Sequence, residues 1–450
     1  MRTPTFLLAI LIGSGPLMSQ TSVELSLEQA IQHATENNAQ VRVQSLERKA
    51  AEKVLIQNIA LGLPSVQIGG NYTDNIELPA QFFDINQDGV IDKLQFGTRY
   101  NSVGNLSVNQ LIFDGSYIVA VLATQVLRDM AEGNYEKAVI TTREQVAQAY
   151  HLRVVLGENQ AALKASLDNS ALTLQTMQAM QKEGFMAEED VDQLSIVYHN
   201  LEANLANLEN QMALAEQLLK LQCGFAPGTT LILTSSMEAL LVKVELNSTL
   251  LEAPFQVQNH IDYRQLVTNR QGQYLNLQNE KMQFLPKFYA GYAYNRQFVS
   301  EDANVFSPNG VSANSTDFQS WNLSAQMPIF SSGRRLARVQ EQKIKLQEVD
   351  ILLDNTANAL ALQHNQARSE YANALKVFRI QEQNALLAQR VMKNTEARLN
   401  EGMASTMEYA QASSQYQQNV AAKLQAANIA LNKRVALEKS LGYYNLSTID

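Results

Sequence analysis

The chain has 450 residues and a formal net charge of −9, so it offers no basic footprint for nucleic acid. Its single cysteine, Cys223, excludes an internal disulfide framework and reads as a small packed residue at a helix end. Beyond the N-terminus no stretch approaches the roughly 18 consecutive apolar residues of a membrane-spanning helix. If the chain spans a membrane, it does so with strands.

Met1 and Arg2 make a short basic start, residues 6–12 an apolar core, and Gly13, Ser14, Gly15 and Pro16 a break before the small Ser19. This pattern predicts a secretory signal peptide over residues 1–19 and an exported mature chain, with no cysteine placed to carry a lipid anchor. Residues 25–61 follow as a predicted helix, with Ser26 as cap and Glu28 and Gln29 in its first turn, stopped by Leu63 and Pro64. Val66, Ile68, Gly70 and Tyr72 then alternate with Ser65, Gln67, Gly69 and Asn71, the two-residue period of a strand with two different faces. A polar excursion over 73–99 leads to a second alternating run over 104–113, where Leu106 and Val108 oppose Asn105, Ser107 and Asn109.

Asp114 and Gly115 turn the chain into its longest predicted element. Gly115 to Gly184 is 69 positions and Gly184 to Gly224 is 40; Gly333 to Gly402 is again 69 and Gly402 to Gly442 again 40. All nine prolines lie outside these two spans, as long helices require, because proline removes a backbone donor and clashes one turn back. Apolar stops in the second span fall at Leu346, Val349, Leu353, Ala357, Leu360, Ala367, Tyr371, Ala374, Phe378, Ala385, Ala388, Met392 and Leu399. With polar stops near His364, Gln381 and Thr395 the mean step is about 3.5 residues, the spacing of coiled-coil packing. A helix of this length reaches roughly 100 Å, far more than a globular domain needs.

The preceding elements are duplicated too. Leu63–Pro64 matches Leu285–Pro286, Asn105-Leu106-Ser107 matches Asn322-Leu323-Ser324, and Ile112–Phe113 matches Ile329–Phe330. The expected domains are a first repeat over 20–224 (strand pair 64–113, helical hairpin 116–224), a connecting segment over 225–255 that reads as irregular with short elements, and a second repeat over 256–450 (strand pair 286–330, hairpin 334–442). Four strands cannot close a transmembrane barrel, for which about eight is the minimum. Three chains would supply twelve. Tyr72, Tyr100, Phe113, Tyr294, Phe298, Phe318, Trp321 and Phe330, at strand ends, suit interfacial girdles.

In this order of elements, taken twice, the chain resembles the TolC family of outer-membrane efflux proteins over essentially its whole mature length. The resemblance rests on Leu25-Ser26-Leu27-Glu28-Gln29-Ala30 opening the first copy, Asn105-Leu106-Ser107 leading to Ile112-Phe113-Asp114-Gly115, and the hairpin turns Glu183–Gly184 and Glu401–Gly402. It implies a mainly α fold with β, a homotrimer whose four strands per chain build a 12-stranded barrel in the outer membrane, and a coiled-coil tunnel in the periplasm. It also implies docking on a periplasmic membrane-fusion adaptor and an inner-membrane pump of the RND or ABC class, as the exit duct of a tripartite efflux or type I secretion system. The other reading is a periplasmic coiled-coil scaffold without a channel, which has no need of a lipid-facing surface.

No metalloprotease, nucleophile-elbow, phosphate-loop or dinucleotide motif is present, and the five histidines are scattered singly, so an enzyme is not expected. Two stretches qualify as sites. Asp84, Asn86, Asp88 and Asp92 match ligand positions 1, 3, 5 and 9 of a calcium loop with Gly89 at position 6, but Gln95 replaces the bidentate acid at position 12. That pattern reads either as a weak Ca2+ site or as a solvated acidic loop; no other cofactor is expected. The second is the hairpin tip, where Glu188, Glu189, Asp190 and Asp192 follow Gly184, and Glu408 follows Gly402. The resemblance implies an acidic periplasmic gate there, with Glu408 on the first acidic position and Gln411 on the second. Asp190 is the first copy's counterpart of Glu408 at the offset of 218.

Overall fold

A computed structural model gives the architecture. The described residues are 22–83, 92–246, 248–303 and 314–442; the signal sequence and all of the Asp84 loop up to residue 91 lie outside them. In chain order they form β1 (Ser22–Leu25), α1 (Leu27–Asn37), α2 (Ala39–Ala60), β2 (Ser65–Asp74), β3 (Ala80–Phe83), β4 (Asp92–Gln95), β5 (Tyr100–Phe113), α3 (Gly115–Lys182), α4 (Glu188–Cys223), β6 (Thr230–Leu233) and α5 (Met237–Leu246). Two short 3-10 turns, Ser248–Glu252 and Val257–Asn259, precede α6 (Ile261–Met282), β7 (Lys287–Ser300), β8 (Asn314–Gln326), α7 (Arg334–Asn400) and α8 (Thr406–Leu441). The order helix, strand, strand, long helix, shorter helix occurs twice, and α3 and α7 are 68 and 67 residues long.

The chain divides into two compact units. One holds residues up to 45, 134–263 and from 357 on; the other holds 46–133 and 264–356. In the first, the coiled-coil spacing read along α7 is visible as burial. Leu360, Ala367, Tyr371, Ala374, Phe378, Ala385, Ala388, Met392 and Leu399 are all buried, and so is His364 at one of the polar stops. Leu25, Tyr150, Leu219, Cys223, Leu231, Tyr371, Leu431 and Leu437 belong to the largest apolar cluster. Cys223 is a packed residue there, burial pushing its thiol up to about 12.

The region predicted as one helix over 25–61 is instead a strand and two helices. Ser26 caps α1 in a capping box with Gln29. Asn38 then takes an extended backbone, and its Oδ1 accepts from the N–H groups of Gln40 at 2.8 Å and Val41 at 3.4 Å, starting α2 afresh. The preceding strand β1 pairs in parallel with β6, inside the segment read as irregular. The fully buried Tyr150 joins them: its hydroxyl donates to Leu25 O at 3.0 Å and accepts from Ser235 N–H at 3.2 Å.

The second unit contains a four-stranded antiparallel sheet in the order β2-β5-β7-β8, with Ile68 opposite Leu106, Leu106 opposite Tyr294 and Tyr292 opposite Trp321. A bulge between Leu111 and Phe113 brings Phe113 opposite Phe288. The excursion over 73–99 carries the small hairpin β3–β4. Where strand turns to helix, Asp114 caps α3 through Ser116 N–H at 2.8 Å and takes Lys287 Nζ at 2.7 Å. Burial is the largest single influence on the Asp114 carboxyl and acts to raise its pKa, yet the Lys287 and backbone hydrogen bonds outweigh it and the carboxyl titrates below its ordinary value. This pairing therefore stabilises the fold above the ordinary carboxylate range and is lost as pH falls through the lowered value.

Gly224 and Gly442, which end α4 and α8, hold φ of +79° and +78°, and an added Cβ would lie 2.5 Å from Asn37 O and 2.8 Å from Asn259 O. Gly402 has φ +73° but open space around it. Gly402→Ala is expected to cost only the left-handed penalty of about 1–2 kcal/mol. Gly442→Ala should cost about 1–3 kcal/mol more, because the Asn259 backbone must also move. Thermal unfolding of the two variants in detergent compares them directly; equal losses would show that the close approach carries no energy.

Candidate functional site

Two structures carry the functional reading, one in each unit. The first is the pair of hairpin tips in the helical unit. Gly184 and Gly402, at φ +80° and +73°, end their helices in matching turns: Phe185 N–H donates to Met180 O at 2.9 Å and Met403 N–H to Arg398 O at 2.7 Å. Met177, Val191 and Leu194 of the first hairpin pack with Met392, Leu399, Tyr409 and Ala412 of the second. The two tips are therefore one packed body.

The returning helices begin differently. Ser405 caps α8 in a reciprocal box: its Oγ accepts from Glu408 N–H at 3.2 Å, and Glu408 Oε2 accepts from Ser405 N–H at 3.0 Å. At the matching place in the first hairpin stands Ala187, which offers no side-chain cap. The start of α4 has instead Glu188, Glu189 and Asp190 against the positive end of the helix. Asp190 Oδ1 lies 2.6 Å from Thr406 Oγ1, with Gln193 Oε1 at 3.1 Å from the same hydroxyl. A hydroxyl has one proton, and the carboxylate, as the charge-assisted acceptor, takes it.

Asp190 and Glu408 thus lie on adjoining helix starts, Asp190 half-buried and Glu408 exposed. Thr406 and Gln193 were missed in the sequence, although the Ser405-to-Glu408 spacing of a capping box was readable and marks Thr406 as the first helical residue. Phe185, Met403 and Met407 are exposed at the same tips, at 81%, 59% and 58%, and make an apolar end bordered by acids. Of the proposed calcium ligands, Asp84, Asn86 and Asp88 lie outside the described residues, and Asp92 is the first residue of β4. Among the described residues no cluster of three or more His, Cys, Asp or Glu is placed to hold a metal.

The second structure is the sheet. Register assigns its faces. Val66, Ile68, Tyr72, Leu106, Val108, Ala290, Tyr292, Tyr294, Trp321 and Leu323 share one face, and Ile68, Trp321 and Leu323 are 87%, 81% and 76% exposed. Gln319 also falls there, and Tyr292 donates to its Oε1 at 2.7 Å. Phe298 and Tyr72 lie toward one end of this face and Phe113 and Phe288 at the other. The ten steps from Phe288 to Phe298 rise about 34 Å along the strand, or about 26 Å across a layer at a 40° tilt, which matches the apolar band of an outer-membrane barrel. Phe318, predicted for a girdle, pairs with Asn295 and so lies on the opposite, polar face. Period-two alternation separates it from Trp321, three residues on. Among the described residues no helix is long and apolar enough to cross a membrane.

The comparison with protein families decides what these parts belong to. The family described as outer membrane efflux protein matches residues 30–224 and again 259–443. The chain belongs to this family. The two matched segments are the two copies of the duplicated order. Solved structures of the same fold include the outer membrane protein VceC of Vibrio cholerae (17% identity, 92% of this chain and 96% of that one, TM-score 0.68). CusC aligns at 15% identity over 97% and 98% of the chains with a TM-score of 0.71, and the Campylobacter jejuni CmeC outer membrane channel at 15% over 100% and 95% with 0.68. No curated protein matches in sequence. Like its relatives, this outer membrane efflux protein is mostly helical with a small share of strand, and it resides in the outer membrane and extends into the periplasm. Family and neighbours are channels rather than enzymes.

The tip geometry makes a direct prediction. Thr406→Val leaves the Asp190 carboxylate without its donor and should loosen the tip by about 1–3 kcal/mol. Amide exchange in residues 188–194 and 406–412 should speed up correspondingly, while Thr406→Ser retains the wild-type rates. Unchanged exchange in the valine variant would show that the apolar cluster alone joins the tips.

Proposed function

We propose that this chain assembles as a homotrimer and serves as the passive outer-membrane exit duct of a tripartite efflux or type I secretion system. The observation that carries the proposal is the open sheet. β2 and β8 are its edges, and among the described residues neither has a partner on its outer side. An unpaired backbone group in the bilayer core costs several kcal/mol, so ten- and thirteen-residue edges cannot stay open there. Pairing β8 of one copy with β2 of the next satisfies both edges, and three copies give twelve strands. A scaffold without a channel gives no reason for the exposed apolar face.

The tips are the periplasmic end of this duct. Their exposed Phe185, Met403 and Met407 would meet the adaptor, which receives cargo from an RND or ABC pump. Glu408 and Asp190, repeated three times about one axis, would form a cation-favouring constriction. Glu408→Gln separates this role from helix capping, because glutamine at the third helical position completes a capping box as well as glutamate.

Two measurements test the proposal. Mass in detergent should be about three times the chain mass, and a stable monomer with full strand content would sink it. In planar bilayers, Glu408→Gln should weaken cation selectivity and block by a trivalent cation while the melting temperature holds. Unchanged selectivity would assign Glu408 to capping alone.

A further inference from the structure

The polar face of the sheet carries information that neither the fold nor the tips contain. Four charged residues occur in β2, β5, β7 and β8: Asp74, Lys287, Arg296 and Asp317. Asp74 pairs in register with Tyr100 and is held by Arg99 at 3.0 Å. Arg296 and Asp317 lie opposite each other on the apolar face, 3.5 Å apart. Lys287, the first residue of β7, is in line with the polar face, but Asp114 neutralises it at 2.7 Å.

Every other residue on that face is uncharged. Amides dominate it: Asn71, Asn101, Asn105, Asn295, Gln297 and Asn322. They bond to one another across strands, Asn105 Nδ2 to Asn295 Oδ1 at 2.7 Å and Gln297 Nε2 to Asn101 Oδ1 at 3.1 Å. The rest of the face is Gln67, Asn109, Asn314 and Gln326 together with Ser, Thr, Gly and a few apolar or aromatic side chains, Tyr289 and Phe318 among them. For a chain with 79 charged side chains among 450 residues, a face without net charge is a constraint on what it meets. A ring of charge would bind cargo of one sign and repel the other. Amides donate and accept equally, and they exchange hydrogen bonds with hydroxyl, amide, ammonium or carboxylate groups.

We propose that this face lines the barrel as an electrically neutral, amide-rich conduit that admits organic solutes by size, without selecting the sign of their charge. The proposal rests on the trimeric-barrel reading above, which makes the polar face the lumen. Cargo of either charge and none would then pass this segment alike, and any charge discrimination is left to other parts of the chain.

The native protein suits a local test, because Cys223 is fully buried, which pushes its thiol up to about 12, and it should not compete for thiol reagents. Asn105→Cys places a thiol on the polar face and Ile68→Cys one on the apolar face. Each is treated in outer-membrane vesicles with a cationic and an anionic methanethiosulfonate, and each rate is divided by that reagent's rate with a free thiol. For Asn105→Cys the two normalised rates should agree within about twofold, as a lumen of zero mean potential requires. Adding Ser107→Asp on the same face should raise the cationic-to-anionic ratio several-fold. Ile68→Cys should react with neither.

A tenfold preference for one sign at Asn105→Cys, with Ile68→Cys silent, would overturn the neutral lumen and leave the barrel standing. Reaction at Ile68→Cys with Asn105→Cys silent, or silence at both, would overturn the barrel reading itself and the conduit with it.

Discussion

The backbone hydrogen bond at a sheet edge is the constraint from which the rest of this structure follows. In water an open edge is tolerable, since solvent replaces the missing strand. In a bilayer nothing does, and every N–H and C=O must find a partner in protein. In the proposed trimer, a chain that contributes four strands, with β2 and β8 as edges, is closed by copies of itself. That closure explains why the sheet is apolar on one face and amide-lined on the other, and why a bulge at Leu111/Phe113 returns Phe113 to the apolar side at the end of its strand. Two strands in each copy are followed by one long helix and one shorter one, so each repeat supplies the same set of elements.

Much of this was legible in the sequence because its signals are periodic and long. The step of about 3.5 residues through α7 names the buried positions from Leu360 to Leu399 almost one for one, since only one stripe of a coiled-coil helix can face its neighbours. The absence of proline and the equal spacing of glycines fix the two hairpins, and the structure turns at Gly184 and Gly402 with positive φ. Strand alternation assigned the faces of the sheet, with Trp321 and Leu323 on one and Asn322 and Ser324 on the other.

What was not legible depends on contacts between residues far apart in the chain. The strand β1 is four residues long, too short for its alternation to be seen, and exists because β6 pairs with it and Tyr150 bonds to both ends of the join. The break at Asn38 is a side chain competing with its own helix, a local effect that an average over helical spacing conceals. Phe318 was placed by its aromatic type rather than by its parity. At the tips, acids were readable as acids, but the hydroxyl that holds Asp190 comes from residue 406, more than 200 positions away. Charge can be counted along a sequence, whereas its neutralisation is a property of the fold.

The two copies share geometry and differ in how that geometry is held, and the differences fall at the ends of the long helices. Tyr117 and Arg335 stand at matching positions, 218 apart. Tyr117 lies against Gly62, where even a Cβ would collide with its ring, and its hydroxyl donates to Ile59 O at 3.1 Å. Arg335 lies over the ring of Phe284, 4.9 Å from its centre, and its guanidinium donates to Gln283 O, Pro328 O and Ser331 Oγ. The aromatic ring has changed sides, and a cation with several donors has replaced a hydroxyl with one. At the other end, a capping box in the second copy stands against an uncapped Ala187 in the first, whose helix start is tied to its neighbour through Thr406. The second copy's ties are to its own residues, whereas Asp114 and Asp190 of the first bond to Lys287 and Thr406 of the second. The second copy is thus held at both ends by its own residues, and the first at both ends also by residues of the second, so the two copies are joined where their long hairpins begin and where they turn.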